Sequence, residues 1–244
     1  MESVATQYRV KLLDKAEVAE GTLAFSVEKP ASFEFTAGQA VELMLLDPPE
    51  TDDEGDFRTF SIVAAPAENV LTFATRLRDT AFKRVLRQMT PGTAIQVDGP
   101  FGSFSLHQDI SKPAVFLAGG IGITPFMSMI RDATGRPDAR LMHLFYSNRR
   151  PEDAAFLAEL AALQQKHPGF RLTGTMVEME KSTREWDGER GRIDAAMLRR
   201  HLPVLSGPTY YIAGPPGMVA AMRQKLLEAG VGGDDIRTEN FAGY

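Results

Sequence analysis

Cysteine is absent from the 244 residues of this chain. Its absence excludes disulfides, thiolate nucleophiles, cysteine-ligated iron–sulfur clusters and cysteine-type zinc sites within the chain. The four histidines, His107, His143, His167 and His201, are scattered without the spacing of metal ligands. We therefore interpret the histidines as ordinary residues and expect no metal site.

Positive charge is also scarce, because acidic residues outnumber basic ones and leave a formal net charge of −5. A chain with this balance is not expected to have nucleic acid or an anionic membrane as its main partner. Residues 1–10 lack an export signal, and the longest apolar stretch, residues 114–131, is interrupted by three glycines and a proline. We therefore expect a cytoplasmic protein. Its 43% hydrophobic content is enough for one large domain or two of ordinary size.

Short β-rich segments separated by turn signals fill residues 1–108. The predicted strands are residues 9–18, 22–29, 40–46, 58–65, 70–77 and 94–98. Six such strands predict a small antiparallel β-barrel. Residues 80–89 carry apolar side chains on one helical face and are expected to cover one end of the barrel.

Two neighbouring segments of this half differ sharply in character. The proline- and acid-rich residues 47–56 predict an exposed loop without chemistry of its own. The next residues are Arg58, Thr59, Phe60 and Ser61, where strand alternation places the first and third on one face and the others opposite. A guanidinium can bind phosphate, an aromatic ring can lie against a flat heterocycle, and a hydroxyl can bond to a ring nitrogen. A barrel strand with an arginine at its mouth would explain the pattern equally well.

From residue 112 onward, buried strands alternate with helical segments, which is typical of a parallel sheet covered on both faces. The predicted strands are residues 114–118, 141–146, 171–177, 210–213 and 236–240, and the predicted helices lie near 125–133, 151–165, 194–202 and 218–229. The sequence therefore predicts two domains, a barrel in residues 1–108 and a five-stranded α/β nucleotide-binding domain in residues 112–244.

Glycine turns follow two of these strands. Gly119, Gly120 and Gly122 precede Thr124, which can cap a helix, and Pro125, which suits a first helical turn. Such a turn would accept a dinucleotide pyrophosphate, although a strand-to-helix turn without a ligand gives the same pattern. Residues 213–218 repeat the arrangement with Gly214, Pro215 and Met218 after the strand.

The second α/β strand bears on the choice of nucleotide. It ends in Ser147, Asn148, Arg149 and Arg150, where a site for the ribose diol of NADH would offer an acidic residue. These residues favour NADPH, but NADH stays open if the arginines are surface charges. Residues 183–193 predict a loop, from which Trp186 and Arg192 are candidates for contact with the adenosine.

Four motifs occur in order: RTFS at residues 58–61, GPFGSF at 99–104, GGIGITP at 119–125 and AGPPGM at 213–218. This series resembles the ferredoxin–NADP reductase family of flavoproteins over essentially the whole chain. The resemblance implies that the barrel binds FAD and that the α/β domain binds NADPH or NADH.

The resemblance also implies roles for particular residues. Arg58 would meet a flavin phosphate, Phe60 would stack near the isoalloxazine where the family usually has tyrosine, and Ser61 would approach flavin N5. Ala213 stands where the family commonly has a cysteine beside the path of hydride transfer. Either Tyr244 or Phe241 would cover the flavin as a displaceable lid.

Ser61, Glu239 and Tyr244 form the predicted catalytic set, with Glu239 polarising the site or relaying protons. The predicted cofactor-binding residues are Arg58, Thr59, Phe60, Ser61, Thr75, Arg76, Thr80, Lys83, Gly99, Gly119, Gly120, Gly122, Thr124, Pro125, Ser147, Arg149, Arg150, Gly214, Pro215, Met218, Phe241 and Tyr244.

The expected function is that of a reductase in which FAD takes a hydride from NAD(P)H and passes electrons to a separate acceptor. Ferredoxin, flavodoxin or an oxygenase component are the protein acceptors that the resemblance implies. The alternatives are a flavin or ferric reductase that uses small diffusible acceptors, and a non-catalytic nucleotide-binding electron-transfer subunit, which Ala213 in place of a thiol would suit.

Overall fold

Residues 6–136 and 140–241 are described by the computed structural model of the chain. Tyr244, predicted as a catalytic and stacking residue, lies outside the described residues. Within the described ranges, no helix combines the length and the apolar character that a membrane crossing requires.

Antiparallel strands and one helix form the first half of the chain. The strands are β1 (Gln7–Ala19), β2 (Thr22–Glu28), β3 (Ala40–Leu45), β4 (Phe57–Ser61), β5 (Val70–Arg76) and β6 (Ala94–Phe101), in the sheet order β4-β3-β6-β1-β2-β5. Val63, just after β4, donates to the carbonyl of Thr72 in β5 at 2.8 Å, which brings the two sheet edges together. The predicted six-stranded antiparallel barrel is confirmed.

The helix of this half, α1 (Ala81–Gln88), closes over the barrel interior. Phe82, Val85 and Leu86 recur at helical spacing and are buried in the same apolar cluster as the inward side chains of the strands. In β3 these are Val41 and Leu43, which alternate with more exposed residues. The one-sided patterns of the strands and of the helix therefore meet in a single barrel core.

The second half is a parallel sheet with helices on both faces. Its strands are β7 (Ala114–Gly119), β8 (Met142–Asn148), β9 (Phe170–Met176), β10 (Glu189–Arg190), β11 (Thr209–Gly214) and β12 (Ile236–Asn240), and its helices are α2 (Ile123–Thr134), α3 (Leu157–Lys166), α4 (Ala195–His201) and α5 (Pro216–Glu228). The order β10-β9-β8-β7-β11-β12 places β7 in the interior, where all six of its residues are buried.

Two expectations for this half were wrong in detail. The sheet has six strands rather than five, because Glu189–Arg190 pairs with Thr175 and Met176 inside the segment expected to be a loop. A two-residue strand is too short to produce a recognisable hydrophobic period. The helix expected from residue 151 begins only at Leu157, because Phe156 adopts a left-handed conformation with φ of 60°.

The two halves share an apolar core. Ala24, Val63 and Phe104 of the barrel side belong to the same buried cluster as Phe126 and Met127 of α2. Polar contacts reinforce it: the Ser128 hydroxyl donates to the carbonyl of Ala64 at 2.6 Å. The relative position of the halves is thus set by packing, and the boundary between residues 108 and 112 stays a prediction.

Candidate functional site at the interface of the two halves

A cleft of about 700 Å³ lies between the barrel and the carboxyl end of the parallel sheet. This is the edge at which open α/β sheets bind ligands. The predicted residues that line it are Arg76, Gly119, Gly120, Ser147, Arg149, Arg150, Pro215, Met218 and Phe241. The fold therefore brings the β7 turn, the β11 turn and the end of β8 to one place, opposite the end of β5.

The glycines of the β7 turn have different surroundings. Gly120 has a φ of +54°, and a Cβ there would meet no atom within 4 Å, so its backbone is open to a ligand. A Cβ on Gly122 would instead overlap the carbonyl of Ala213 and lie 2.6 Å from the nitrogen of Gly214. Gly120 is thus a candidate for direct contact with a phosphate, whereas Gly122 permits the two turns to approach each other. The cofactor contacts predicted for Gly119 and Gly122 stay predictions.

Thr124 does not cap α2, contrary to expectation. The helix begins at Ile123, its cap position is Gly122, and the 3₁₀ turn Gly120–Gly122 runs directly into it. The Thr124 hydroxyl donates to the carbonyl of Ile121 at 3.0 Å, and the residue is 2% exposed. Thr124 and the buried Pro125 therefore stabilise the turn from inside, and their predicted contact with a cofactor stays a prediction.

A second group of predicted residues surrounds the N-terminus of α1. The Arg58 guanidinium carbon lies 5.1 Å from the centre of the Phe82 ring, and Lys83 is 6% exposed. Burial, together with the charges of Arg78 and Arg58, lowers the pKa of Lys83 to about 8. A buried amine whose pKa is lowered by neighbouring cations marks a place that an anion would stabilise.

The acidic loop of residues 47–56 supplies anions at this place. Asp52 accepts a hydrogen bond from the backbone nitrogen of Ala81 at 2.6 Å, and Glu54 accepts one from Arg58 at 2.8 Å. The Ala81 hydrogen bond is the largest of the effects that hold the pKa of Asp52 below its ordinary value. The loop expected to have no chemistry thus places carboxylates on the donors predicted for a flavin phosphate.

The cluster at α1 fits a phosphate group. Thr80 occupies the cap position of α1, yet its hydroxyl caps nothing and has no hydrogen-bond partner among the described residues. A helix N-terminus, the Arg58 guanidinium, the Lys83 amine and this hydroxyl are donors of the kind that bind a pyrophosphate. The chain therefore offers a chemically suitable seat for the flavin diphosphate.

Most of the other predicted flavin-site residues are buried in the barrel. Phe60 is 3% exposed, and its ring contacts those of Phe25, Phe73 and Phe82 in the barrel core. Thr59 is exposed, Ser61 and Thr75 are buried, and a Cβ on Gly99 would press on Val41. The contacts of these residues with a flavin stay predictions, and the burial of the Phe60 ring leaves it little surface for stacking.

Glu239 lies beside Ala213 in the register of β12 on β11. Its Oε2 is buried without a hydrogen-bond partner among the described residues, and burial raises the pKa of Glu239 to about 7. The carboxyl is thus able to change its protonation near neutral pH, as the proton-relay prediction requires. Phe241, two residues further on, lines the cleft and donates its backbone N–H to the carbonyl of Gly214 at 2.9 Å.

We expect Glu239→Gln to stabilise the protein at pH 8 by about 2 kcal/mol and to change its stability less at pH 5. The pKa of a glutamic acid in the unfolded chain is about 4.3, whereas that of Glu239 in the folded protein is about 7, so the folded state binds this proton more tightly. The free energy of unfolding therefore falls as the pH rises from about 4.3 to about 7 and levels off above that, and glutamine removes the loss. Thermal unfolding of both proteins at the two pH values measures the effect. The exposed Glu34→Gln is the control, and equal shifts at both pH values would contradict the prediction.

The most consequential residue missed in the sequence is Asp153. Asp153 is 2% exposed, lines the cleft and contacts three arginines. Its spacing from Arg149 and Arg150 was the only local signal, because its third partner, Arg76, comes from the barrel. Arg78, also missed, lines the cleft beside Arg76.

Comparison with known proteins adds a domain match and a relative. Residues 116–224 match the family model of the oxidoreductase NAD-binding domain. The chain is 30% identical over 226 residues to the glycine betaine monooxygenase reductase subunit of Chromohalobacter salexigens, a match that covers 90% of this chain. The chain spans 60% of that relative's length.

Solved structures share the arrangement of the two halves. The cytochrome P450 reductase of Amycolatopsis superposes with a TM-score of 0.82 at 24% identity, covering 97% of this chain and 71% of that one. A ferredoxin NADP⁺ reductase of Neisseria gonorrhoeae, solved with bound FAD and NADP, gives 0.80 at 24% identity and covers 97% and 99%. These likenesses show that the chain has the fold of these proteins.

Proposed function

We infer that this chain, which belongs to the ferredoxin–NADP reductase-like family of FAD- and NAD(P)-binding proteins, is a reductase that takes a hydride from NAD(P)H and passes electrons through FAD to a separate acceptor. The observation that carries this proposal is the cleft in which the glycine turns of the α/β half face the arginines of the barrel. Hydride transfer requires such an orientation of two nucleotides more than it requires acid–base chemistry.

In this proposal the two halves of the chain bind different cofactors. On the barrel side, Arg58, Lys83 and the N-terminus of α1 would hold the flavin phosphates. On the α/β side, the open backbone of Gly120 leaves room for the nicotinamide nucleotide. Glu239, with its raised pKa, would hold or release a proton beside the β11 turn.

FAD, when bound, supplies a centre that accepts two electrons as a hydride and releases them singly. These 244 residues contain no cysteine with which to ligate an iron–sulfur cluster, so the acceptor of the electrons lies outside these residues. We propose a ferredoxin, a flavodoxin or an oxygenase component as that acceptor. An oxygenase component is supported by the relative named as the reductase subunit of a monooxygenase.

The decisive experiment is anaerobic reduction of the flavin. We expect the purified protein to bind FAD, turn yellow, and lose its flavin absorbance when NADH or NADPH is added. Reoxidation by a ferredoxin or an oxygenase component then identifies the class of acceptor. Protein that stays colourless after addition of FAD, or flavin that neither nucleotide bleaches, would contradict the proposed activity and support the non-catalytic alternative.

A second candidate, a reductase of diffusible flavin or ferric acceptors, is favoured by the contacts of Asp52 and Glu54. These carboxylates already bind the Ala81 amide and the Arg58 guanidinium, so a flavin phosphate must displace them. Gel filtration after loading separates the candidates. Flavin that elutes with the protein supports a resident cofactor, whereas flavin that is lost and then turned over when supplied freely supports an exchangeable one.

A further inference from the structure

The two pyridine nucleotides differ by one phosphate on the 2′ oxygen of the adenosine ribose. Recognition of that phosphate is favoured by guanidinium or ammonium groups whose charge is not already matched by carboxylates. Two places at the carboxyl edge of the sheet offer arginines for it: the end of β8 and the recess at the end of β9. The inference below rests on the proposed binding of a pyridine nucleotide in this cleft.

At the end of β8, Arg150 is held by two carboxylates through its Nε and Nη2 atoms. Its Nε lies 3.0 Å from Asp153 Oδ2 and its Nη2 lies 3.1 Å from Oδ1, which is a two-pronged contact with a carboxylate that is 2% exposed. The same Nη2 also lies 3.0 Å from Glu20 Oε2 on the barrel. A 2′-phosphate that took the Nε and Nη2 atoms of this guanidinium would leave a buried carboxylate without its main partner, which is costly.

Asp153 remains ionised despite its burial. Burial alone would raise the pKa of its carboxyl, but the Arg150 hydrogen bonds and the charges of Arg149, Arg150 and Arg76 outweigh burial and hold the pKa below its ordinary value. The backbone carbonyl of Asp153 also accepts a hydrogen bond from Arg76 at 3.0 Å. The negative charge is therefore fixed in place by both halves of the protein.

Arg149 is more accessible but is also faced by carboxylates. Its side chain is 59% exposed, and its Nη2 lies 3.7 Å from Asp153 Oδ1. Glu178 lies nearby, since its backbone nitrogen donates to the carbonyl of Arg149 at 2.8 Å. An incoming phosphate would meet the two carboxylates together with the one guanidinium.

The recess at the end of β9 has the same balance. Arg184 and Arg190 line it together with Glu180, Glu185 and Asp187, so that acids outnumber bases. The indole nitrogen of Trp186 donates to the carbonyl of Glu189 at 2.9 Å. At neither place do the arginines of the sheet outnumber the carboxylates that face them. The two further arginines of the cleft, Arg76 and Arg78, come from the barrel.

We propose that Asp153 is a positioning residue that sets the cleft for NADH over NADPH, because it holds Arg150 away from the 2′ position and offsets the charge of Arg149. This reverses the preference that the adjacent arginines indicate in the sequence. The free ribose hydroxyls of NADH carry no charge and so meet no penalty beside these carboxylates.

The test uses flavin-loaded wild-type protein, Asp153→Asn and Glu20→Gln. We expect wild type to show a kcat/KM for flavin reduction at least about tenfold higher with NADH than with NADPH. Asp153→Asn should lower this ratio about tenfold through the KM for NADPH, with little change in kcat. Glu20→Gln, which keeps the buried carboxylate and frees one contact of Arg150, should shift the ratio in the same direction by less.

Calorimetric binding of ADP-ribose and of its 2′-phosphorylated form gives a readout that needs no turnover. Wild type should bind the unphosphorylated probe more tightly. In Asp153→Asn and Glu20→Gln the dissociation constants of the two probes should be closer to each other. The control is Glu159→Gln, which removes a partner of Arg131 outside the cleft. It should change neither the ratio of kcat/KM for NADH and NADPH nor the ratio of affinities for the two probes. A wild-type preference for NADPH, or ratios that neither cleft variant moves, would overturn the inference. Failure of both nucleotides to bleach the flavin, with the binding preference intact, would instead overturn only the proposed activity.

Discussion

Gly122→Ala is expected to destabilise the α/β half by about 3 kcal/mol and to abolish rapid reduction of the flavin. The backbone φ of Gly122 is −60°, so alanine fits the conformation and only the contact is at issue. The new methyl group would overlap the carbonyl of Ala213 and lie 2.6 Å from the nitrogen of Gly214. Because these are backbone atoms, α2 and β11 must separate. The β7 and β11 turns, which line the cleft, then move apart.

Thermal unfolding and anaerobic flavin reduction measure the two effects, with a fall in melting temperature of about 6–12 °C for a protein of this size. Binding of FAD should persist, since its predicted seat at α1 lies in the barrel. Gly217→Ala is the matched control, because a Cβ at Gly217 would meet no atom within 4 Å. A Gly122→Ala protein with wild-type stability and reduction rate would show that the turns tolerate separation.

Arg58→Ala is expected to weaken FAD binding by about 10- to 100-fold, the loss of one charge-assisted contact with a phosphate. The guanidinium stands near Lys83, where burial and the charges of Arg78 and Arg58 lower the amine's pKa, and removal of one cation weakens the whole anion seat. Titration of the protein with FAD, followed by the change in flavin fluorescence, gives the dissociation constants.

The control for this variant is Arg84→Ala. Arg84 also belongs to α1, but it pairs with Glu50 and Asp79 and is not among the predicted flavin residues. Arg58 also donates to backbone carbonyls of the acidic loop, so the melting temperature of each variant without flavin must be recorded. Equal FAD affinities for the Arg58 and Arg84 variants would place the phosphate seat elsewhere.

Most of the fold was accessible from hydrophobic patterns in the sequence. The continuous apolar run that became β7 and the alternation in β3 reflect burial on two faces and on one face, respectively. The start of α3 was not accessible, because the left-handed Phe156 interrupts a segment whose composition suits a helix. Its ring lies 5.9 Å from the guanidinium of Arg131, a contact from another element that no local pattern records.

Some residues of the candidate site could also be predicted from the sequence, and others could not. The glycine turns and the arginine at the mouth of the barrel were visible because their chemistry is carried by neighbouring residues. The role of Asp153 was not, since Arg76 and Glu20 reach its neighbourhood only after the barrel docks on the sheet. The acidic loop was likewise set aside, although folding carries Asp52 to the amide of Ala81.

The apolar cluster that runs from the barrel into α2 makes each half part of the other's interior. In a chain made from its N-terminus, the face that includes Ala24 and Val63 is complete before α2 exists to cover it. Apolar surface left bare in this interval is where partly folded chains associate with one another. The docking of α2 ends the exposure, so the yield of folded protein depends on how quickly the second half forms.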